Sequence, residues 1–186
     1  MPNTIEKHLP HYENLRVTRE EYLDLVEDGF RYDMIDGVLQ MSPSPEFEHA
    51  NFGNNLNFLF KTFLKNNKIG KVVMECDVLL PDGGDVLRPD IIVILNENMN
   101  KVKMHIHGAP DIVAEVLSPS TRNRDLGTKA DRYLTCGVKE YWIVDPKEKS
   151  ISVWRNEGKD WKKETGEVIQ SNVLLGLGVK SKDIFD

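Results

Sequence analysis

A chain of 186 residues, 40% hydrophobic and 29% charged, has enough apolar material for one packed core and is short for two, so residues 1–186 read as a single domain. Its formal charge of −6 argues against nonspecific coating of nucleic acid, which needs clustered Lys and Arg, but leaves room for a local basic groove. No window approaches a membrane span and "MPNTIEKHLPHYENL" lacks the apolar region of a secretion signal, so a cytoplasmic protein is expected.

Along the chain, "VTREEYLDLVED" opens with a capping-box pattern, Thr18 and Glu21, and sets Tyr22, Leu25 and Val26 on one face, which predicts a first helix. "RYDMIDGVLQMS" then reads as two short strands around Asp36-Gly37, a favoured hairpin turn. The longest helix follows, with Ser44 as N-cap, Pro45 at the first helical position, and Leu56, Leu59, Phe60, Phe63 and Leu64 at helical spacing. Three strands are predicted next: "KVVMECDVLL", "DIIVIL" and "DIVAEVL". The last two are apolar on both faces, the pattern of central strands covered on each side. A helix from about Arg124 to Cys136 should stop at Gly137. "EYWIVDP" and "SISVWRN" read as a further strand pair around Lys147-Glu148-Lys149, and the tail from Val168 is ambiguous. The order predicts a mixed α/β or α+β fold around one sheet. Cys76 and Cys136 make no C-x-x-C, so neither a disulfide framework nor a cysteine zinc site is expected; both read as buried filler.

Two acids stand out. Asp90 follows Pro89 and precedes the apolar run "IIVIL", at the mouth of a buried strand, and Glu115 lies inside another with Ile112, Val113, Ala114, Val116 and Leu117 around it. A lone buried carboxylate costs several kcal/mol, roughly, or takes up a proton, unless a cation or hydrogen-bond donors compensate. By period-two alternation Asp111, Val113, Glu115 and Leu117 share a face. If the Asp90 strand is a neighbour, two carboxylates converge, an arrangement suited to magnesium or manganese. On the following helix Leu126, Ala130, Tyr133 and Leu134 form the packed stripe. Lys129 lies at its edge beside Tyr133 and Arg122, where it can bury its stem and aim its ammonium at the sheet. Two nearby carboxylates would hold its proton, so it suits charge stabilisation and water positioning, with the metal supplying the hydroxide.

"RPD" at 88–90, "PDIVAEVLSPSTRNRDLGTKADRY" at 110–133 and "GVKEYWIVDP" at 137–146 closely resemble the family described as "putative restriction endonuclease" and catalogued as domain of unknown function 820, in the PD-(D/E)xK nuclease superfamily. "YDMIDGVLQMSPSPEFEH" resembles that family's N-terminal pattern, so the likeness runs from about Tyr32 to Pro146. It implies a restriction-endonuclease-like core, a mixed sheet flanked by helices, and metal-dependent phosphodiester hydrolysis. Asp90 matches the motif's aspartate and Glu115 its second acid. The motif's lysine position holds Leu117, and Lys129 takes the place on the next helix to which family members move it. Asp33 and His49 match positions bordering such a site. The expected ion is Mg2+ or Mn2+, held by Asp90, Glu115 and the Val116 carbonyl. Arg122, Arg124 and Arg132 would contact the backbone of a nucleic acid, DNA before RNA, and a homodimer fits cutting of both strands of a duplex.

Plainer readings stand beside these. Asp90 reads equally as a turn residue at a strand entrance, Glu115 as part of a structural ion pair, and Lys129, apart from the resemblance, as a solvated helix side chain. Asp36 reads as turn chemistry, His49 as a helix-surface residue, and His105 and His107 as an exposed loop without a third ligand. Tyr141 and Trp142 read as core and sheet-face residues. A noncatalytic nucleic-acid-binding or assembly module retaining the fold is the alternative to a nuclease, and a hydrolase of small phosphate esters a weaker third.

Overall fold

The computed structural model describes residues 10–81 and 84–186; most of the opening segment read as lacking a secretion signal lies outside the described residues. Thr18 caps α1 (Arg19–Leu23) through a reciprocal capping box, its Oγ1 accepting from the Glu21 N–H at 3.2 Å while a Glu21 carboxylate oxygen accepts from the Thr18 N–H at 2.7 Å. The helix ends at Asp24, earlier than predicted, so Tyr22 is buried while Val26 is 75% exposed. Strands β1 (Arg31–Ile35) and β2 (Val38–Ser42) form the expected hairpin, with Asp36 and Gly37 both at positive φ, 52° and 71°.

The long helix α2 spans Phe47–Asn67. Its N-cap is Glu46 and not Ser44, because the chain stays extended through Glu46 while Ser44 and Pro45 line a cavity. Phe52, Gly53, Leu56, Phe60 and Leu64 are its buried face. "KVVMECDVLL" is two strands and not one. Strand β3 (Gly70–Met74) ends before Glu75, whose φ of 52° turns the chain, and β4 (Val78–Leu79) joins a different sheet. The chain continues through β5 (Val86–Leu87), β6 (Ile91–Leu95), a 3-10 turn (Asn96–Lys101), β7 (Ile106–His107) and β8 (Ile112–Val116). A helical run then passes from α3 (Arg122–Arg124) through a π turn (Asp125–Lys129) into α4 (Ala130–Cys136), closed by Gly137 at φ 95°. Next come β9 (Glu140–Asp145), β10 (Ser150–Asn156), β11 (Trp161–Thr165), the hairpin of β12 (Val168–Gln170) and β13 (Gly178–Lys180), and α5 (Lys182–Phe185).

The main sheet runs β11-β10-β9-β8-β6-β3, with β8 parallel to β9 and antiparallel to β6. Five strands, three of them only two residues long, form a second sheet, β2-β1-β5-β4-β7, so the fold is not built on the one sheet expected. One face of the main sheet packs Phe60, Leu56 and Trp142 with Ile169, Leu174 and Ile184, so the tail whose reading was ambiguous closes the core beneath α2. The opposite face packs Ile92, Val113 and Tyr141 against Ala130 and Tyr133 of α4 and Val78 and Leu87 of the small sheet. Central β6 and β8 are thus covered on both sides, which is why their apolar runs do not alternate. Cys76 and Cys136 are free and half-buried, so they fill the core only in part. Among the described residues no helix is long and apolar enough to cross a membrane.

Candidate functional site

Ile91 of β6 is paired antiparallel with Ala114 of β8, so Asp90, one residue before Ile91, and Glu115, one residue after Ala114, meet at the same end of the sheet. Two hydrogen bonds fix them: the Asp90 N–H donates to Glu115 Oε2 at 3.1 Å, and the Val116 N–H donates to Asp90 Oδ2 at 2.7 Å. Glu115 is 3% exposed, whereas the Asp90 side chain keeps 25% exposure. Asp111, on the same face of β8 but at the far end, is engaged elsewhere, accepting from Lys139 and Asn98 at 2.8 Å each.

Lys129 reaches Glu115 from the π turn. Its Nζ donates to Glu115 Oε1 at 2.9 Å and also lies 3.4 Å from Asp33 Oδ2 and 3.5 Å from Asp125 Oδ1. The Tyr133 hydroxyl donates to the same Glu115 oxygen at 3.3 Å. Lys129 is therefore 4% exposed, buried more deeply than an edge position implies. The π turn supplies the reason: a wide turn between α3 and α4 turns both Asp125 and Lys129 inward. Asp33 on β1 is fully buried beneath this group, accepting from the Arg88 N–H at 2.8 Å and from Ser42 Oγ at 3.4 Å. His49, in the first turn of α2, places Nε2 3.4 Å from Asp90 Oδ2.

The charges do not balance. Asp33, Asp90, Glu115 and Asp125 face two permanent cations, Lys129 and Arg124, the latter 3.6 Å from Asp33. Burial alone would push Lys129 down, but Asp33, Glu115 and Asp125 outweigh it and hold its pKa well above that of ordinary lysine. Burial pushes Glu115 well above the usual carboxylate range; Lys129 opposes this, while Asp90 and Asp125 add to it. Asp90 is also raised by burial, against the pull of His49 and the Val116 amide. Burial thus sets the direction for both acids, and the neighbouring carboxylates set it for the lysine. With all four acids ionised and His49 neutral the group carries two surplus negative charges, which protons or one divalent cation would offset.

Both acids open onto a cavity of about 380 Å³, lined also by His49, Val116, Arg88, Arg124, Lys129 and the turn Ser118–Thr121. Asp33 is fully buried and is not part of its lining. Of the three arginines read as backbone contacts, Arg124 alone lines it, with its guanidinium 3.0 Å from Ser42 Oγ. Arg122 is paired with Asp145 at 2.7 Å, and Arg132 with Asp85 at 2.6 Å and with Asp36 at the β1–β2 turn. His105 is half-buried, its Nδ1 3.8 Å from Asp77, and His107 is exposed. Sequence reading passed over Asp125, although its i, i+4 spacing from Lys129 was a usable signal.

The residues present fit a divalent ion of the weakly held kind. Among the described residues no three His, Cys, Asp or Glu side chains form a metal-holding group, so the protein offers two carboxylates and a backbone carbonyl, and water would complete the coordination. The buried Asp125 Oδ1 makes no hydrogen bond among the described residues and faces charge only through its 3.5 Å ion pair with Lys129.

A family model described as Uma2, "Putative restriction endonuclease", matches residues 19–180. A solved structure of a putative nuclease belonging to DUF820 from Anabaena variabilis ATCC 29413 superposes with a TM-score of 0.78 at 21% identity, covering 91% of this chain and 97% of that one. At that identity the likeness shows the fold. No curated protein matches the sequence.

Proposed function

The chain belongs to the Uma2 family of "Putative restriction endonuclease" proteins, and from that premise we propose that it is a magnesium- or manganese-dependent nuclease hydrolysing phosphodiester bonds of DNA. The observation that carries the reading is the surplus of carboxylate at the cavity floor, where Asp90 and Glu115 are clamped together by backbone amides. Those two acids and the Val116 carbonyl would hold the ion. When bound there, a divalent ion would lower the pKa of a water and offset charge developing on the scissile phosphate.

The chain's own groups do the rest. Lys129 keeps its proton throughout, so it acts as a fixed positive charge that orients Glu115 and water at the cavity wall, and not as a base. Arg124 and the hydroxyls of Ser118 and Thr121, 2.9 Å apart, offer donors to phosphate oxygens in the same cavity. Purified protein incubated with labelled DNA and either metal should cut it, and Asp90→Ala or Glu115→Ala should abolish cutting. Cleavage unchanged by those substitutions would reject the site.

Leu117, 4% exposed where the motif's lysine normally stands, favours a second reading, a noncatalytic binding module that keeps the fold. The two part on metal titration: a module that has lost catalysis should gain no stability from magnesium or manganese that depends on both acids.

A further inference from the structure

The outer face of α2 carries an unusual set of side chains. Phe47, Asn51, Asn54, Phe58, Lys61 and Lys65 recur at helical spacing, fall within one stripe and are all exposed. Phe47 is 84% exposed and Phe58 66%, far more than ordinary helix aromatics. From Ala50 through Asn67 the helix has no acidic residue, in a protein whose net charge is −6. Among the described residues Lys61 and Lys65 have no carboxylate within ion-pair distance, whereas Arg122 and Arg132 are already paired.

We propose that this stripe is the surface along which a nucleic-acid strand reaches the cavity: its lysines neutralise phosphates, and Phe47 and Phe58 stack on bases. The proposal deepens the nuclease reading and rests on it. Three features fix the occupant. The stripe begins at the cavity mouth, since the neighbouring Glu46, Glu48 and His49 line the cavity. Its nineteen-residue course from Phe47 to Lys65 spans about 27 Å at 1.5 Å per residue, the length of several nucleotides of one strand. Free cations interleaved with exposed aromatics and amides complement a polyanion carrying flat bases; a surface made only for burial against protein would not need the lysines.

The test is binding of a labelled single-stranded DNA oligonucleotide to the full chain without metal, so that the strand stays intact, across a salt series. Lys61→Ala/Lys65→Ala should weaken binding on the order of tenfold or more near 0.1 M salt and flatten the slope of log affinity against log salt by about 1.4. Phe47→Ala/Phe58→Ala should weaken it roughly tenfold and leave the slope unchanged. All four residues are exposed, so the fold should survive, as circular dichroism can verify. Unchanged affinity and slope would overturn the proposal. So would light scattering that shows a wild-type dimer converted to monomer by the phenylalanine changes with affinity intact, since a second copy would then be the occupant. Cleavage that depends on Asp90 and Glu115 beside unaltered affinity would remove this surface and leave the nuclease; α2-dependent affinity without cleavage would do the reverse.

Discussion

Lys129 faces Asp33, Glu115 and Asp125 with almost no access to water, so removing its charge leaves buried carboxylates uncompensated. Lys129→Met should cost about 3–5 kcal/mol at neutral pH, read by chemical denaturation. The pH sign follows from Glu115. Its folded-state pKa lies above its unfolded value, so between the two the native state binds more protons, and stability rises as pH falls through that window. The deficit of Lys129→Met should therefore shrink between neutral pH and the ordinary carboxylate range; a constant deficit would mean that the lysine acts by packing alone. Lys129's own contribution has the opposite sense, being intact below the ordinary lysine pKa and lost only in strong alkali. Metal binding requires both acids ionised, so magnesium should raise the melting temperature more at neutral than at acidic pH. At a hundredfold excess over Kd the gain should be about 2.7 kcal/mol, and Asp90→Asn or Glu115→Gln should erase it.

At the scale of elements, two glycines set apart local conformation from packing. A Cβ at Gly70 would sit 2.5 Å from the Ile94 carbonyl oxygen across the β3–β6 pair, backbone that cannot move aside without shifting the strand. Gly70→Ala should cost about 1–3 kcal/mol and loosen the β3 edge. Gly137 closes α4 at φ 95° with nothing near an added Cβ, so Gly137→Ala should cost only the left-handed conformation, about 1–2 kcal/mol, leaving β9 in register. Equal losses with equal effects on β3 amides in hydrogen exchange would contradict this division. β6 and β8 were legible because apolar residues on both faces leave a continuous local signal. The break in "KVVMECDVLL" was not, because a left-handed Glu75 carries no mark in residue type and the two halves part only to join different sheets.

Across the whole molecule, Asp33 links the small sheet to the main one: β1 carries it, the Arg88 amide beyond β5 donates to it, and Lys129 and Arg124 reach it from the helical run beside β8. Asp33→Ala should cost roughly 3–5 kcal/mol. Amides of β1 and β2 should then exchange faster than those of β8 and β9. Uniform acceleration would show that the two sheets unfold as one unit without need of this residue. The same arrangement explains why the net charge misleads as a guide to partners. Acidic residues gather around the cavity, while α2 carries lysines that have no ion-pair partner among the described residues, so a negative total coexists with a basic stripe.

Residue order alone determined the central strands, the buried face of α2, the hairpin at Asp36-Gly37 and the presence of an acid inside an apolar strand, because each is a property of neighbours along the chain. Only the tertiary structure decided which charges meet. Asp33, Glu115 and Asp125 arrive from β1, β8 and the π turn to surround Lys129, and pairing across such distances in sequence depends on strand order and helix register. For the same reason Arg122 and Arg132, cationic in any reading of the sequence, turned out to be held by Asp145, Asp85 and Asp36, while Lys61 and Lys65 stayed in solvent.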